Sequence, residues 1–260
     1  MYKIEQLGTG STQQGQMCAT KHQIVQQRKK SPKFANQIPT KHKIVQFVTN
    51  LPKALWYNAE VSEIVEVYMI LKSDNVIVEI VVDKTYTMGS VDNRHYDVVL
   101  NPANYSRSDF TKTLAIHIDM FSKQFSIALI GFGLISDEDC AILDNNTLTV
   151  LLNQEIVQIN IVDGAIIRHV KLDSFGCNFA IYKVDNGYIL YGEMAITMLD
   201  FDFVEKWTFC GLDIFVSATG KQSFEMKENA ICLYDFVDNY YEIDYEGNRI
   251  KWQSQTNGFV

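Results

Sequence analysis

The sequence predicts an all-β chain built from repeated sheets, and three observations carry that prediction. One phrase recurs as IHIDMFSKQF (116–125), VQINIVDGAIIR (157–168), TMLDFDFVEKW (197–207) and YEIDYEGNRIKW (241–252), with polar anchors Asp119, Asn160, Asp200 and Asp244 spaced by 41, 40 and 44 residues. An acid and a turn residue precede an apolar run in LDNNTLTVLL, VDNGYILYGE and KENAICLYDF, where Asp144, Asp185 and Glu228 keep the same beat. A glycine then follows each hairpin, at Gly133, Gly176 and Gly211.

A period near 40 with several short strands per unit and no helical spacing is the pattern of propeller blades. A single four-stranded blade has two apolar faces and cannot bury both alone. Stacked neighbours cover the faces and leave only short edges. The expectation is a small or incomplete β-propeller-like domain of about four blade-like units of 40–44 residues. Alternation within a unit agrees: in YYEIDY, Tyr241, Ile243 and Tyr245 point one way, and Tyr240, Glu242 and Asp244 the other.

Taken in order, residues 1–56 read as a mobile basic arm, rich in Gln, Lys, Ser and Thr, with nine Lys/Arg against the single acid Glu5. Within it TKHQIVQ (20–26) returns as TKHKIVQ (40–46), two β-prone pieces able to pair or to dock at a sheet edge. Residues 57–260 read as one β-repeat domain. EIVEVYMILK, then SDN, then VIVEIVVDK predicts a hairpin ahead of the repeats. Residues 84–112 carry little pattern and read as a long connection. The repeats then fall near 103–135, 136–176, 177–211 and 212–260.

Composition narrows the function classes. The net charge of −8 divides into +8 over the arm and −16 over the body, so the body repels a phosphate backbone and no nucleic acid is expected on it. A basic partner, or the chain's own arm, suits the body better. The five cysteines, Cys18, Cys140, Cys177, Cys210 and Cys232, are odd in number and widely spaced. That disfavours a disulfide framework or a thiolate zinc site and points to a reducing, cytoplasmic setting. The start has no apolar signal core, and the run FSIALIGFGLI (125–135) is too short to span a bilayer. No membrane role is expected.

The phrase I-D-Y-E-G-N-R-I-K-W resembles the repeat of quinoprotein-type (PQQ-like) propellers, whose blades carry an aspartate, a glycine turn and a closing tryptophan. Asp244, Gly247 and Trp252 match fully. Asp200 and Trp207 match without the glycine, Asn160 and Gly164 without the tryptophan, and Asp119 with Phe125 is a degenerate copy. The resemblance covers roughly 113–260. It implies that Trp207 and Trp252 dock between blades. The family's enzymes use about eight blades and a calcium–quinone site. No residues here stand out to hold that cofactor, and none is expected.

Candidate chemistry is sparse. His117 and Asp119, two apart on a strand, project from one face and make a fragment of a metal site. The same aspartate position reads equally as a turn cap. The repeat aspartates would form a cation-binding ring if they lined a channel, and solvated turns if they lay on a rim. His95 and His169 have no ligand partner nearby in sequence, and no G-x-S-x-G, H-E-x-x-H, Walker or G-x-G-x-x-G motif occurs. The run LYDFVDNYYEIDYEG (233–247) interleaves aromatics with acids, which suits either a basic partner or an amphipathic hairpin. These readings add up to a non-enzymatic binding protein that recognises another macromolecule through an acidic surface or loop face. The alternatives are a metal-dependent enzyme using His117 and Asp119 or the repeat aspartates, and a scaffold that self-associates through its arm.

Overall fold

The computed structural model describes residues 67–73, 75–135 and 139–254. The basic arm, its two TKHxIVQ pieces and residues 57–66 lie outside the described residues. What is described is all β, in four sheets, antiparallel but for one short parallel strand, stacked face to face.

The first sheet combines β1 (Val67–Ser73), β2 (Val76–Val82), β3 (Val98–Leu100), β4 (Thr111–Met120) and β5 (Lys123–Phe132) in the order β1-β2-β4-β5-β3, with β3 parallel to β5. The second runs β6 (Ala141–Asp144), β7 (Thr147–Leu151), β8 (Glu155–Asn160) and β9 (Ile166–Lys171). The third runs β10 (Asn178–Val184), β11 (Gly187–Gly192), β12 (Ile196–Leu199) and β13 (Glu205–Phe209). The fourth runs β14 (Phe224–Met226), β15 (Ile231–Tyr234), β16 (Tyr240–Ile243) and β17 (Arg249–Gln253).

Three apolar seams hold the stack. Val78, Ile80, Leu114, Ile116 and Ile118 of the first sheet meet Leu148, Val150, Val157 and Ile159 of the second. Leu151 and Ile156, on the other face of the second sheet, meet Ile181, Leu190 and Leu199. Ile189, Ile196 and Met198 meet Ile231, Leu233, Tyr241 and Ile243. Burying one such side chain is worth roughly 1.5–3 kcal/mol. Each middle sheet buries apolar side chains on both faces, so it depends on both neighbours to shield them from water. Among the described residues no seam joins the fourth sheet to the first, so the stack is open.

Two features differ from the sequence expectation. The hairpin placed ahead of the repeats is hydrogen-bonded into the first sheet: β2 pairs with β4 from Val76–Met120 to Val82–Leu114. The first unit therefore starts by Val67, and the segment 103–135 holds only its last two long strands. The 84–112 connection also carries β3, and lays Tyr86 and Tyr96 over Val81, Ala115 and Ala128. Tyr96 OH donates to Asp83 Oδ2 at 2.5 Å, tying the connection to the end of β2. It thereby covers the face of the first sheet that has no neighbouring sheet.

Candidate functional site at the hairpin end

Up-and-down strand order places the turn between the first and second strands of a sheet at the same end as the turn between its third and fourth. Asp144, Asp185 and Glu228 sit in or beside the first kind of turn, and Asn160, Asp200 and Asp244 at the head of the second. The two sequence landmarks therefore meet at one end of the stack.

At that end the anchors organise their own turns. Asp200 Oδ1 accepts from the N–H groups of Asp202 and Val204, both at 2.9 Å. Asp244 Oδ1 accepts from Glu246 N at 3.1 Å and Asn248 N at 2.7 Å. Asn160 Oδ1 accepts from Val162 N at 3.0 Å. These hydrogen bonds satisfy turn donors that have no ladder partner. The Val204 N–H, helped by Lys206, holds the Asp200 carboxyl below the usual carboxylate range.

Asp119 is out of phase with them. The residue before each true anchor (Ile159, Leu199, Ile243) faces the preceding sheet. Ile118, before Asp119, faces the following one. Asp119 thus points to the outer face of the first sheet, where Gln124 Nε2 donates to it at 2.9 Å. Met120 occupies the anchor register, and the hairpin closes tightly through Phe121 and Ser122. A one-residue slip reverses every side chain in a strand.

The same parity separates the two tryptophans. Trp207 lies opposite Met198 and faces the fourth sheet, where its Nε1–H donates to Tyr245 O at 3.1 Å. A Cβ on Gly247, in the fourth sheet's turn at φ +81°, would stand 2.6 Å from Trp207 Cδ2, so this turn must carry glycine. Phe125 makes the corresponding contact from the first sheet to Gly164 of the second, at φ +75°. Arg168, opposite Gln158, makes it from the second sheet to the third. There Phe203 takes the glycine's place at φ 60°, and the guanidinium carbon stands 5.8 Å from the centre of its ring. In the fourth sheet the equivalent residue is Lys251, opposite Glu242. Trp252 lies opposite Tyr241 on the other face, and 46% of it is exposed.

The hairpin end is predominantly acidic. Some carboxylates bridge neighbouring sheets: Asp144 pairs with Lys183, and Asp202 with Arg168 at 3.0 Å. Asp200 pairs with Lys206 within its own turn. Asp119, Asp163, Asp185, Glu228, Asp244 and Glu246 have no cation partner among the described residues, which leaves a surplus of negative charge facing outward.

His117 shares the outer face of the first sheet with Asp119, opposite Glu79 and Ser126. Burial, then the Arg94 charge, pushes its imidazolium below the ordinary range, against the pull of Glu79 and Asp83. Among the described residues no three His, Cys, Asp or Glu side chains converge well enough to hold a metal ion, so the pair lacks a third ligand. His95 does not join it. Of the repeat aspartates, Asp200 and Asp244 organise turns at the end of their sheets, whereas Asp119 lies within β4 on the outer face of the first sheet.

Two polar constellations escaped the sequence reading. Asp235, fully buried, accepts from Val237 N, Asn239 N, Asn239 Nδ2 and Tyr241 OH, all between 2.8 and 3.2 Å. D-x-x-x-N in LYDFVDN is the local signal that could have found it. Glu155, buried at the first seam, receives Tyr105 OH at 3.3 Å and stands 3.0 Å from His169 Nε2. Its partners are 50 and 14 residues away, so spacing offers no hint. At the opposite end of the stack a cleft of about 390 Å³ opens between Asp83, Tyr86, Met88, Phe110 and Lys112. Asp83 is engaged there by Thr85, Tyr86 and Tyr96, and Lys112 donates to Ile135 O. No nucleophile–base pair faces that cleft.

The architecture is a distant propeller-like stack of sheets. Among solved structures it is similar to Hsv2p of Kluyveromyces lactis, at 10% identity and a TM-score of 0.33 over 56% of this chain and 47% of that one. It is also similar to BamB of Moraxella catarrhalis (12%, 0.32, over 46% and 35%) and to a fragment of HIRA (9%, 0.35, over 71% and 51%). The chain spans about a third to a half of the length of these proteins. No protein-family model and no curated protein matches it.

Proposed function

We propose that this chain is a non-enzymatic binding protein whose acidic hairpin end receives a basic segment of another protein. The observation that carries the reading is the convergence of turn carboxylates from the second, third and fourth sheets on one end, five of them (Asp163, Asp185, Glu228, Asp244 and Glu246) without a cation partner among the described residues. A repeating end of this kind offers several weak ionic contacts at fixed spacing, which together steer and hold a basic partner. Turn hydrogen bonds support the same reading, because they keep several of these carboxylates in place before any partner arrives. The indole of Trp207 seated on Gly247 supports the resemblance of the repeats to the quinoprotein type as a matter of architecture, without the chemistry of that family's enzymes.

The test uses oligolysine and oligoglutamate peptides as probes, with binding measured by calorimetry at low and physiological salt. Asp185, Glu228 and Glu246 are exposed and cap no turn, so D185N/E228Q/E246Q leaves the fold intact. Exposed ion pairs are worth about 0.2–1 kcal/mol each. The triple variant should therefore weaken oligolysine binding by roughly 3- to 100-fold, and added salt should weaken the parent in the same sense. Equal affinity for both peptides, or a triple variant that binds like the parent, overturns the reading.

A further inference from the structure

The last hairpin strands of the sheets are β5, β9, β13 and β17; β5 is bordered by β3 while the other three are edges of their sheets, and β5, β9 and β13 are tied to the next sheet. Phe125 reaches Gly164, Arg168 reaches Asp202 and Phe203, and Trp207 reaches Tyr245 and Gly247. Among the described residues β17 alone has no such tie. All five of its residues, Arg249-Ile250-Lys251-Trp252-Gln253, are exposed, and among the described residues it pairs only with β16. It also carries two cations and no acid, on a body of net negative charge.

We propose that β17 is a docking edge that takes an extended, acidic segment of a partner protein as a fifth strand. The open ladder of N–H and C=O groups on its outer side supplies the main-chain hydrogen bonds of strand addition. The side chains set the sequence preference. Across the free face the register runs Glu225, Cys232, Glu242, Lys251, so an acid opposite Lys251 gains a cation as its cross-strand neighbour. On the other face Trp252 continues the row of Leu233 and Tyr241, so a β-branched or aromatic residue opposite it finds an apolar neighbour. Arg249, its guanidinium 5.8 Å from the Trp252 ring, adds a second site for an acid.

A second copy of the chain fits this edge less well than an acidic segment does. Two β17 strands paired antiparallel about their centre set Lys251 against Lys251. Shifted by one pair toward the start of the strand they set Arg249 against Lys251, and shifted the other way they leave Lys251 opposite Gln253 with no ionic partner. Like charges directly opposite destabilise a ladder, whereas opposite charges support it. The proposal goes beyond the basic-partner reading of the hairpin end: it concerns a different surface with the opposite charge preference, and either can fail without the other.

The test uses the full chain with two capped octapeptides, (Glu-Val)4 and (Lys-Val)4. Binding is followed by calorimetry, and the site by amide hydrogen exchange. The acidic peptide should saturate and slow exchange within 249–253. The variant R249E/K251E should lose about 2- to 30-fold in affinity for it and gain affinity for the basic peptide. D185N/E228Q/E246Q should bind the acidic peptide no worse than the parent. Slowed exchange confined to other segments, an unchanged preference in R249E/K251E, no saturable binding, or a dimer by light scattering with protected β17 amides each overturns the proposal.

Discussion

Replacing Gly247 by alanine tests the inter-sheet dock directly, because the structure separates its two costs. Gly247 has φ +81°, a conformation that costs an L-residue roughly 1–2 kcal/mol. The added Cβ would also stand 2.6 Å from Trp207 Cδ2 and 2.9 Å from Cγ and Cε3 of the same ring. The indole cannot swing aside freely, since its Nε1–H is held by Tyr245 O. Forcing an extra methyl into such a contact costs roughly 1–3 kcal/mol more. Gly220 is the internal control: its φ is +76°, and nothing lies within 4 Å of an added Cβ. G220A therefore shows the backbone cost alone and G247A both. For a body of this size about 1 kcal/mol corresponds to a shift in Tm of roughly 2–4 °C. Thermal unfolding followed by circular dichroism should place G220A about 2–8 °C below the parent, and G247A about 4–20 °C below. Adding W207A to G247A should leave a loss smaller than the sum of the two single changes, because the clash disappears with the ring. Equal shifts for G247A and G220A, or full additivity with W207A, refute the dock as the reason for glycine at this position.

Two further outcomes follow from the buried turn of the fourth sheet. D235A removes the acceptor for Asn239 and Tyr241 in a site closed to solvent, and should cost about 2–4 kcal/mol in urea unfolding, against under 1 kcal/mol for D185A in an exposed turn. Tyr241 has its phenol pushed up to about 12, by burial above all and then by the Asp235 carboxylate, against the donated N–H of Leu212. The native state therefore keeps this proton while the unfolded chain, with an ordinary phenol near 10, releases it. Its contribution is complete below about pH 10 and is lost as pH rises toward 12. The urea midpoint should fall over that window, and less steeply in Y241F; an unchanged slope in Y241F would exclude Tyr241 as the source.

What the sequence made legible is what repeats in register. The spacing of Asn160, Asp200 and Asp244 marks three turns at the same end of three sheets, and the Val/Ile runs about SDN mark β1 and β2. What stayed hidden is parity. Asp119 keeps the spacing but stands one residue from the position that caps a turn, and Trp252 stands one residue beyond the place of Trp207. In a strand one residue reverses the face, so a phrase can match by eye and differ in direction. Coverage was hidden too. Nothing in 84–112 announces a strand of three residues, since Val98–Leu100 is parallel to β5 and lacks a hairpin partner in sequence. Glu155, Tyr105 and His169 meet only after two sheets have stacked.

The two terminal faces have a consequence for how such a chain can lengthen. One is shut by its own tyrosine-bearing connection, and the other presents Glu225, Glu242 and Lys251 where a seam would need Ile and Leu. A duplicated unit appended after the last would meet lysine and glutamate where it must bury oil. One spliced in beside the third would find a greasy wall on either side. Growth by gene duplication is thus channelled to the interior, and unlimited head-to-tail fibre formation is barred at both doors.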